Sequence, residues 1–262
     1  MGNLEITIMV DNPDSWIEPY VDELIDELEC RNHTVRFIQH HSKIESGDIA
    51  FFLSCGDIVP KKTLSLNKHN LVVHESALPK GKGWSPLTWQ ILDGKNEIPI
   101  TLFEAAEKVD AGRIFFCDMI AFEDHELIEE LHDLQGRKTI ELCLKFIECY
   151  PNVVGREQEG DESFYPRREA EDSKVDVNKT IAQLFNKFRV ADNTRYPIFF
   201  EHKGYRYTLI IEKSGKINGN TNTSDKTEMT SQEIYKAETQ MSKQFWEKYN
   251  SEIEEIRRKD KT

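Results

Sequence analysis

The succession of apolar and amphipathic runs predicts an α/β fold. A mostly parallel sheet with helices on both faces is followed by a small α+β C-terminal subdomain. Three observations predict it. Short, nearly continuous apolar runs rich in β-branched and aromatic residues recur at 4–10, 34–39, 48–54 and 70–75, the pattern of strands covered on both faces. Stretches with apolar residues at helical spacing alternate with them. From Gly155 to Ser163 the chain turns polar and acidic, and the residues beyond Ser163 have a new rhythm of one helix and a two-strand signal.

Taken in order, "LEITIMV" reads as a strand, and "SWIEPYVDELIDELECRN" carries Trp16, Tyr20, Leu24 and Leu28 at helical spacing. Pro19 falls in the first turn, where its missing N–H costs little. "TVRFIQ", "DIAFFLS" and "NLVVHE" are three further strands, and "PLTWQILDG" is a helix stopped by Gly94. "PITLFEA" and "RIFFCDMIAF" return to strand character, and Asp124 to Tyr150 reads as one long amphipathic helix or two. Through Tyr150 the order is that of an open, Rossmann-like sheet. Ligands of such sheets gather at the carboxyl ends of strands, where Ser54 to Asp57 and His74 to Ser76 would lie.

The expected organisation is a domain at 1–155, a subdomain at 156–213, and a linker with an amphipathic helix at 214–262. In the subdomain, "FYPRR" precedes a helix through "VNKTIAQLFNKFR", and Lys203-Gly204 splits two strand-like runs into a hairpin. Residues 214 to 230 are poor in apolar content, whereas 231 to 258 place Ile234, Met241, Phe245, Tyr249, Ile253 and Ile256 on roughly one stripe. That stripe needs a cover, either the chain itself or a second copy in a homodimer.

The formal charge of −13, from 47 acidic against 34 basic side chains, argues against a broad nucleic-acid surface and leaves room only for a local basic pocket. Five cysteines form neither an even set nor a C-x-x-C pair, which argues against a zinc knuckle and a disulfide framework and favours a reducing cytoplasm. No apolar stretch reaches membrane-spanning length. No metal site is expected, since His125 and His132 would stand about 10 Å apart along a helix.

Chemistry concentrates in "HNLVVHESALPKGKGWSP", where a buried strand runs into His74, Glu75 and Ser76 and then a loop of Pro79, Gly81, Gly83 and Pro86. A second signal is "KVDAGRI", with Asp110 in a small-residue turn between apolar strands. A carboxylate there needs a partner. Together, "VHESALPKGKGWSPLTWQILDG" and "ITLFEAAEKVDAGRIF" resemble the N10-formyltetrahydrofolate-dependent formyltransferases, whose motif runs N-x-H-x-S-L-L-P, a glycine loop, a proline and later D-x-G. His74, Ser76, Leu78, Pro79, Gly83 and Pro86 match the first part, and Asp110-Ala111-Gly112 matches the turn. "SCGDIVPK" looks like the family's Y-G-x-I-L-P-K segment through Gly56, Ile58, Pro60 and Lys61. The resemblance covers about residues 45 to 150 well.

One position departs. The family's asparagine, two residues before the histidine, is Val72 here. Asn70 lies on the same strand face but about 6.6 Å further back, and it is the alternative amide. The resemblance implies His74 as proton acceptor for the attacking amine and Asp110 as its orienting carboxylate. N10-formyltetrahydrofolate is then the formyl donor. Its pterin would lie on Ser54, Gly56, Ile58, Lys108, Val109 and Gly112, walled by Leu78 and Pro79.

Among acceptors, the resemblance favours a nucleotide-linked amino sugar of the UDP-4-amino-4,6-dideoxyhexose type, as in the branch making pseudaminic-acid-type sugars for surface polysaccharides. Ser76, Lys80, Gly83, Tyr165, Arg167, Arg168, Arg189 and Tyr196 are the candidate acceptor contacts; in the charge-rich segment, guanidiniums could hold a diphosphate while an aromatic ring stacks a base. A methionyl-tRNA formyltransferase would carry a basic RNA-binding C-terminal part, which this acidic segment does not match. A glycinamide ribonucleotide formyltransferase would start with a phosphate-binding glycine loop, and "IMVDNPDSW" has no glycine. A formyl-folate hydrolase and a degenerate folate- or partner-binding module are the remaining alternatives.

Overall fold

The computed structural model describes residues 2–216; the amphipathic segment expected at 231–258 lies outside the described residues. Residues Met1–Lys213 form one compact unit. Its elements are β1 (Glu5–Met9), α1 (Glu18–Cys30), β2 (Thr34–Ile38), β3 (Gly47–Phe52), α2 (Lys61–Leu64), β4 (Asn67–His74), β5 (Lys82–Gly83), α3 (Pro86–Leu92), β6 (Glu97–Glu104), β7 (Ile114–Ala121), α4 (Ile128–Cys149), β8 (Phe164–Tyr165), α5 (Ile181–Arg189), β9 (Ile198–His202) and β10 (Tyr205–Leu209).

The main sheet runs β2-β1-β3-β4-β6-β7. Its pairs β1–β2, β1–β3 and β3–β4 are parallel, whereas β6 pairs antiparallel with both β4 and β7. The sheet is therefore mostly parallel, as the apolar runs predict. Ile49, Ala50, Phe51 and Leu71 of the central strands are fully buried, which is what covered strands require. Because β1, β3 and β4 run the same way, the loops after Met9, Phe52 and His74 collect at one edge.

Asp124 to Tyr150 contains a single helix, α4, and Glu130 accepts a hydrogen bond from the Leu127 N–H at its start (2.9 Å). His125 precedes that helix, so the two-turn spacing expected for it and His132 does not apply. Gly136 lets α4 approach α1, because a Cβ there would come within 2.5 Å of the Tyr20 ring. The stripe expected to start at Trp16 begins later: α1 starts at Glu18, and Trp16 instead stacks on His132 of α4 with centroids 4.4 Å apart. The turn chemistry of Asn12 to Ser15, whose Ser15 N–H donates to the Asn12 carbonyl, holds that residue outside the helix.

Helix α5 opens with a reciprocal cap: Thr180 Oγ1 accepts from the Gln183 N–H and Gln183 Oε1 from the Thr180 N–H. Its apolar side packs with Val175, Ala191 and Ile198. Arg189, at its end, is fully buried. It donates to Asn96 Oδ1 (2.7 Å), Asp124 Oδ1 (2.9 Å) and Glu126 Oε2 (3.0 Å), fastening α5 to the segments before β6 and α4. Removing one partner of such a buried pair strands the other charge. Arg189→Met is therefore expected to cost about 3–5 kcal/mol in urea unfolding; a loss below about 1 kcal/mol would contradict this account of the clamp.

Candidate active site

The loops at the sheet edge and the segment after β8 enclose a cavity of about 900 Å³. That volume suits a ligand of cofactor size. His74 ends β4 and lines it, as does Asp110 from the β6–β7 connection. The two are 36 residues apart in sequence (110 − 74), yet His74 Nε2 stands 3.7 Å from Asp110 Oδ2. His74 Nε2 bonds the Gly81 carbonyl at 2.8 Å. A carbonyl only accepts, so Nε2 carries the proton and Nδ1 is left as the basic nitrogen. Phe103 packs edge-on against the imidazole.

Asp110 is held from two directions. Its Oδ2 accepts from the Gly83 N–H at 2.8 Å, and its own carbonyl accepts from Gln158 Nε2 at 2.8 Å. The backbone at Asp110 is left-handed, with φ of +49°, a conformation that asparagine and aspartate tolerate best among residues with a Cβ. Gly112 follows from crowding, since a Cβ there would lie 1.7 Å from the Glu104 carbonyl oxygen. Gln158 Nε2 also donates to the Gly112 carbonyl (2.8 Å), so one side chain spans the turn.

The segment 156–165 straps both loops. Arg156 exchanges backbone bonds with Ile114, Ser163 Oγ accepts from the Gly81 N–H (2.9 Å), and β8 pairs with β5. Lys82, almost fully buried, pairs with Glu162. On the other side of the cavity, Asp11 Oδ2 accepts from the N–H groups of Gly56 (2.6 Å) and Asp57 (2.8 Å), fixing the loop after β3. Ser15 and Ser54 join through their hydroxyls.

Of the residues singled out from the sequence, His74, Asp110, Ser54, Gly56, Ile58, Val109, Gly83, Arg167, Arg168 and Tyr196 line the cavity. Others do not. Asn70 spends its amide nitrogen on the Leu64 carbonyl, and the β4 residues that line the cavity beside His74 are Val72 and Val73. Two steps back along the strand proved too far, and no bulge brings Asn70 forward. Leu78 packs with Phe103 and Ile114; neither it nor Pro79 is a cavity wall. Ser76 is buried with its carbonyl accepting from Thr101, and Tyr165 lies against Gly81. Lys80, Lys108 and Gly112 lie off the cavity as well. Arg189, a candidate acceptor contact in the sequence, is consumed by the Asp124 and Glu126 ion pairs.

Asp11, Gln158, Ser163, Trp84, His132 and Gln135 carry or line the site without a sequence signal. They are polar or aromatic loop and helix residues, and no periodicity marks which neighbour they will meet. Ile58, Trp84 and Val109 remain 65 %, 41 % and 47 % exposed while lining the cavity. Three large apolar side chains around one opening are a surface that an apolar, ring-bearing ligand would cover. Among the described residues no cluster of His, Cys, Asp and Glu could hold a metal ion, and no helix is long and apolar enough to cross a membrane.

Gln158→Leu keeps the side-chain size and removes the amide that spans the Asp110 turn. The lost bonds, about 1 kcal/mol each, should loosen the turn and raise hydrogen exchange at the Gly83 amide, whose partner is Asp110. Unchanged protection at Gly83 would show that Gln158 does not set this geometry.

Residues 21–139 match the family model described as "Formyl transferase". A methionyl-tRNA formyltransferase of Lactococcus lactis is 29 % identical over 167 residues, covering 60 % of this chain and 50 % of its own; the chain spans about half the length of such relatives. Among solved structures, a methionyl-tRNA formyltransferase from Clostridium thermocellum superposes with a TM-score of 0.68 at 21 % identity, over 81 % of this chain and 95 % of its own. A sugar N-formyltransferase from Shewanella gives 0.63 at 12 % identity, over 82 % and 99 %. HypX from Aquifex aeolicus, in complex with tetrahydrofolic acid, gives 0.64 at 17 % identity, over 78 % and 37 %. The chain therefore has the α/β fold of these proteins, and its residues 21–139 match the formyl transferase model.

Proposed function

We propose that this protein transfers a formyl group from N10-formyltetrahydrofolate to the amine of a nucleotide-linked amino sugar of the UDP-4-amino-4,6-dideoxyhexose type. The observation that carries the transfer is the His74–Asp110 pair on the wall of one cavity. The donor fits what is there. Ser54 to Ile58 and Val109 line the cavity, and exposed Ile58, Trp84 and Val109 offer an apolar rim for its rings. The donor supplies the activated formyl carbonyl; all other steps fall to the chain.

His74 moves the protons. With Nε2–H held by the Gly81 carbonyl, Nδ1 accepts the proton that the amine loses as it bonds to carbon, and returns it to the departing nitrogen. Asp110, 3.7 Å from Nε2, stabilises the imidazolium between those two steps. The carboxylate is too far for a direct hydrogen bond and acts through its charge. Val72 contributes only packing, so charge on the formyl oxygen falls to the backbone around His74 or to water.

The acceptor reading rests on the wall built by residues 156–213, which we assign to substrate. Arg167 lies over the Trp84 ring and Arg168 over the Tyr196 ring, each at 4.8 Å. Arg168 is buried, makes no ion pair among the described residues, and leaves its Nε without a partner. A diphosphate would supply the missing acceptor, and the aromatic rings a stacking surface for a base. The methionyl-tRNA reading draws on the named relatives. Against it stands the net charge of −13, which opposes the counterion-releasing surface that a polyanion needs.

Purified protein should formylate a UDP-4-amino-4,6-dideoxyhexose from N10-formyltetrahydrofolate, read by mass spectrometry of the sugar. His74→Ala and Asp110→Ala should each lower the rate by about 10²- to 10⁴-fold while tetrahydrofolate still binds. Formylation of initiator methionyl-tRNA alone would replace the sugar reading. Formate release without an acceptor would indicate a hydrolase, and folate binding without turnover a binding module.

A further inference from the structure

The geometry points to Glu75 as the subsite for the acceptor's primary ammonium: its carboxylate receives the charged amine and takes one proton from it, leaving the lone pair free for attack. The inference rests on the formyl-transfer reading for its chemistry. Its observations are separate from the His74–Asp110 pair.

Glu75 is buried yet lines the same cavity as His74. Its backbone is fixed by Gln90 Nε2, which donates to the Glu75 carbonyl at 2.6 Å. Facing the cavity from α4 are Ile128, His132, Gln135 and Thr139, a stripe at helical spacing. Gln135 is the neutral side chain of that stripe that favours the ionised carboxyl of Glu75. The stripe holds no positive charge, for burial, and then the nearby Arg195, push His132 down to about 4 and keep it neutral.

The other carboxylates lining the cavity are already engaged or open to water. Asp11 accepts loop amides, Asp110 accepts from Gly83 beside His74, Asp192 pairs with Arg195, and Asp57 is exposed. Glu75 forms no ion pair with a lysine or arginine among the described residues. A buried carboxyl on an open cavity without its own cation is a place for a cation brought by the ligand.

The groups that act on Glu75 set the pH behaviour. Burial raises its pKa above the ordinary carboxylate range, His74 and Gln135 oppose that, and Asp110 adds to it. An arriving ammonium favours the carboxylate, so binding lowers the pKa. In the transfer one N–H bond of the ammonium breaks and one O–H bond forms on Glu75. A raised carboxyl pKa makes that step less uphill.

The test titrates the full chain by ¹³C NMR of its glutamate carboxyls, with Glu75 assigned by its absence in Glu75→Gln. The probes are a UDP-4-amino-4,6-dideoxyhexose, the matching 4-hydroxy sugar, and cyclohexylamine. The amino sugar should lower the Glu75 midpoint by about one unit, a tenfold shift, and the hydroxy sugar should not. A shift with cyclohexylamine but not the amino sugar would uphold the ammonium site and remove the nucleotide-sugar reading. No shift with either amine would overturn the site. In turnover, Glu75→Gln should lose about tenfold or more in kcat/KM at pH 7 with tetrahydrofolate affinity unchanged. The deficit should narrow as pH rises toward the amine's own pKa; a deficit constant with pH would overturn the proton role.

Discussion

The molecule depends on two loops being made to meet. His74 sits at the end of a strand and Asp110 in a nine-residue connection between two others, and neither position alone is a site. Their meeting is enforced by backbone chemistry: the Gly81 carbonyl accepts a hydrogen bond from His74 Nε2–H, and the Gly83 N–H donates to the Asp110 carboxylate. One short segment, 79–83, therefore addresses both side chains at once. Bonds to a charged acceptor, such as Gly83 to Asp110, are worth about 1.5–3 kcal/mol. That is enough to hold Asp110 in its left-handed backbone conformation.

What holds 79–83 is the strap at 156–165. Ser163 fixes Gly81, β8 pairs with β5, and Gln158 closes the Asp110 turn from the far side. The strap is polar and largely exposed, so it contributes little hydrophobic burial; its effect lies in satisfying backbone groups that the loops cannot satisfy themselves. Arg189 fastens helix α5 to the rest by an ion pair with Glu126 that is buried from water and a second with the exposed Asp124. The protein thus combines an acidic exterior with a few guanidiniums whose surroundings decide their role: Arg189 is saturated by carboxylates, and Arg168 is left with an open donor.

Much of the fold was legible because burial on both faces of a parallel sheet leaves continuous apolar runs, and the six such runs became β1, β2, β3, β4, β6 and β7, whereas β5 arose in the stretch read as a glycine loop. His74 stands out because it directly follows such a run, and Asp110 because it sits in a small-residue turn between two of them; only their joint match to a family motif linked the two. The misreadings have physical causes. Period 2 places Asn70 on the right face and says nothing about its distance to the site. Leu78 belongs to a motif and still packs with Phe103 and Ile114. Charge pattern cannot tell a guanidinium already paired inside the protein, Arg189, from one facing a cavity, Arg167. Gln158 and Asp11 act through hydrogen bonds to backbone groups distant in sequence, which leave no periodic trace.

The central claim is that His74 and Asp110 act as one unit on the transferred proton. The most direct test is a double-mutant cycle on the rate of formyl transfer with His74→Ala, Asp110→Ala and the double variant. If the two act as a unit, the double variant is about as slow as the slower single one. Losses that multiply would show that the residues act independently and would contradict the account.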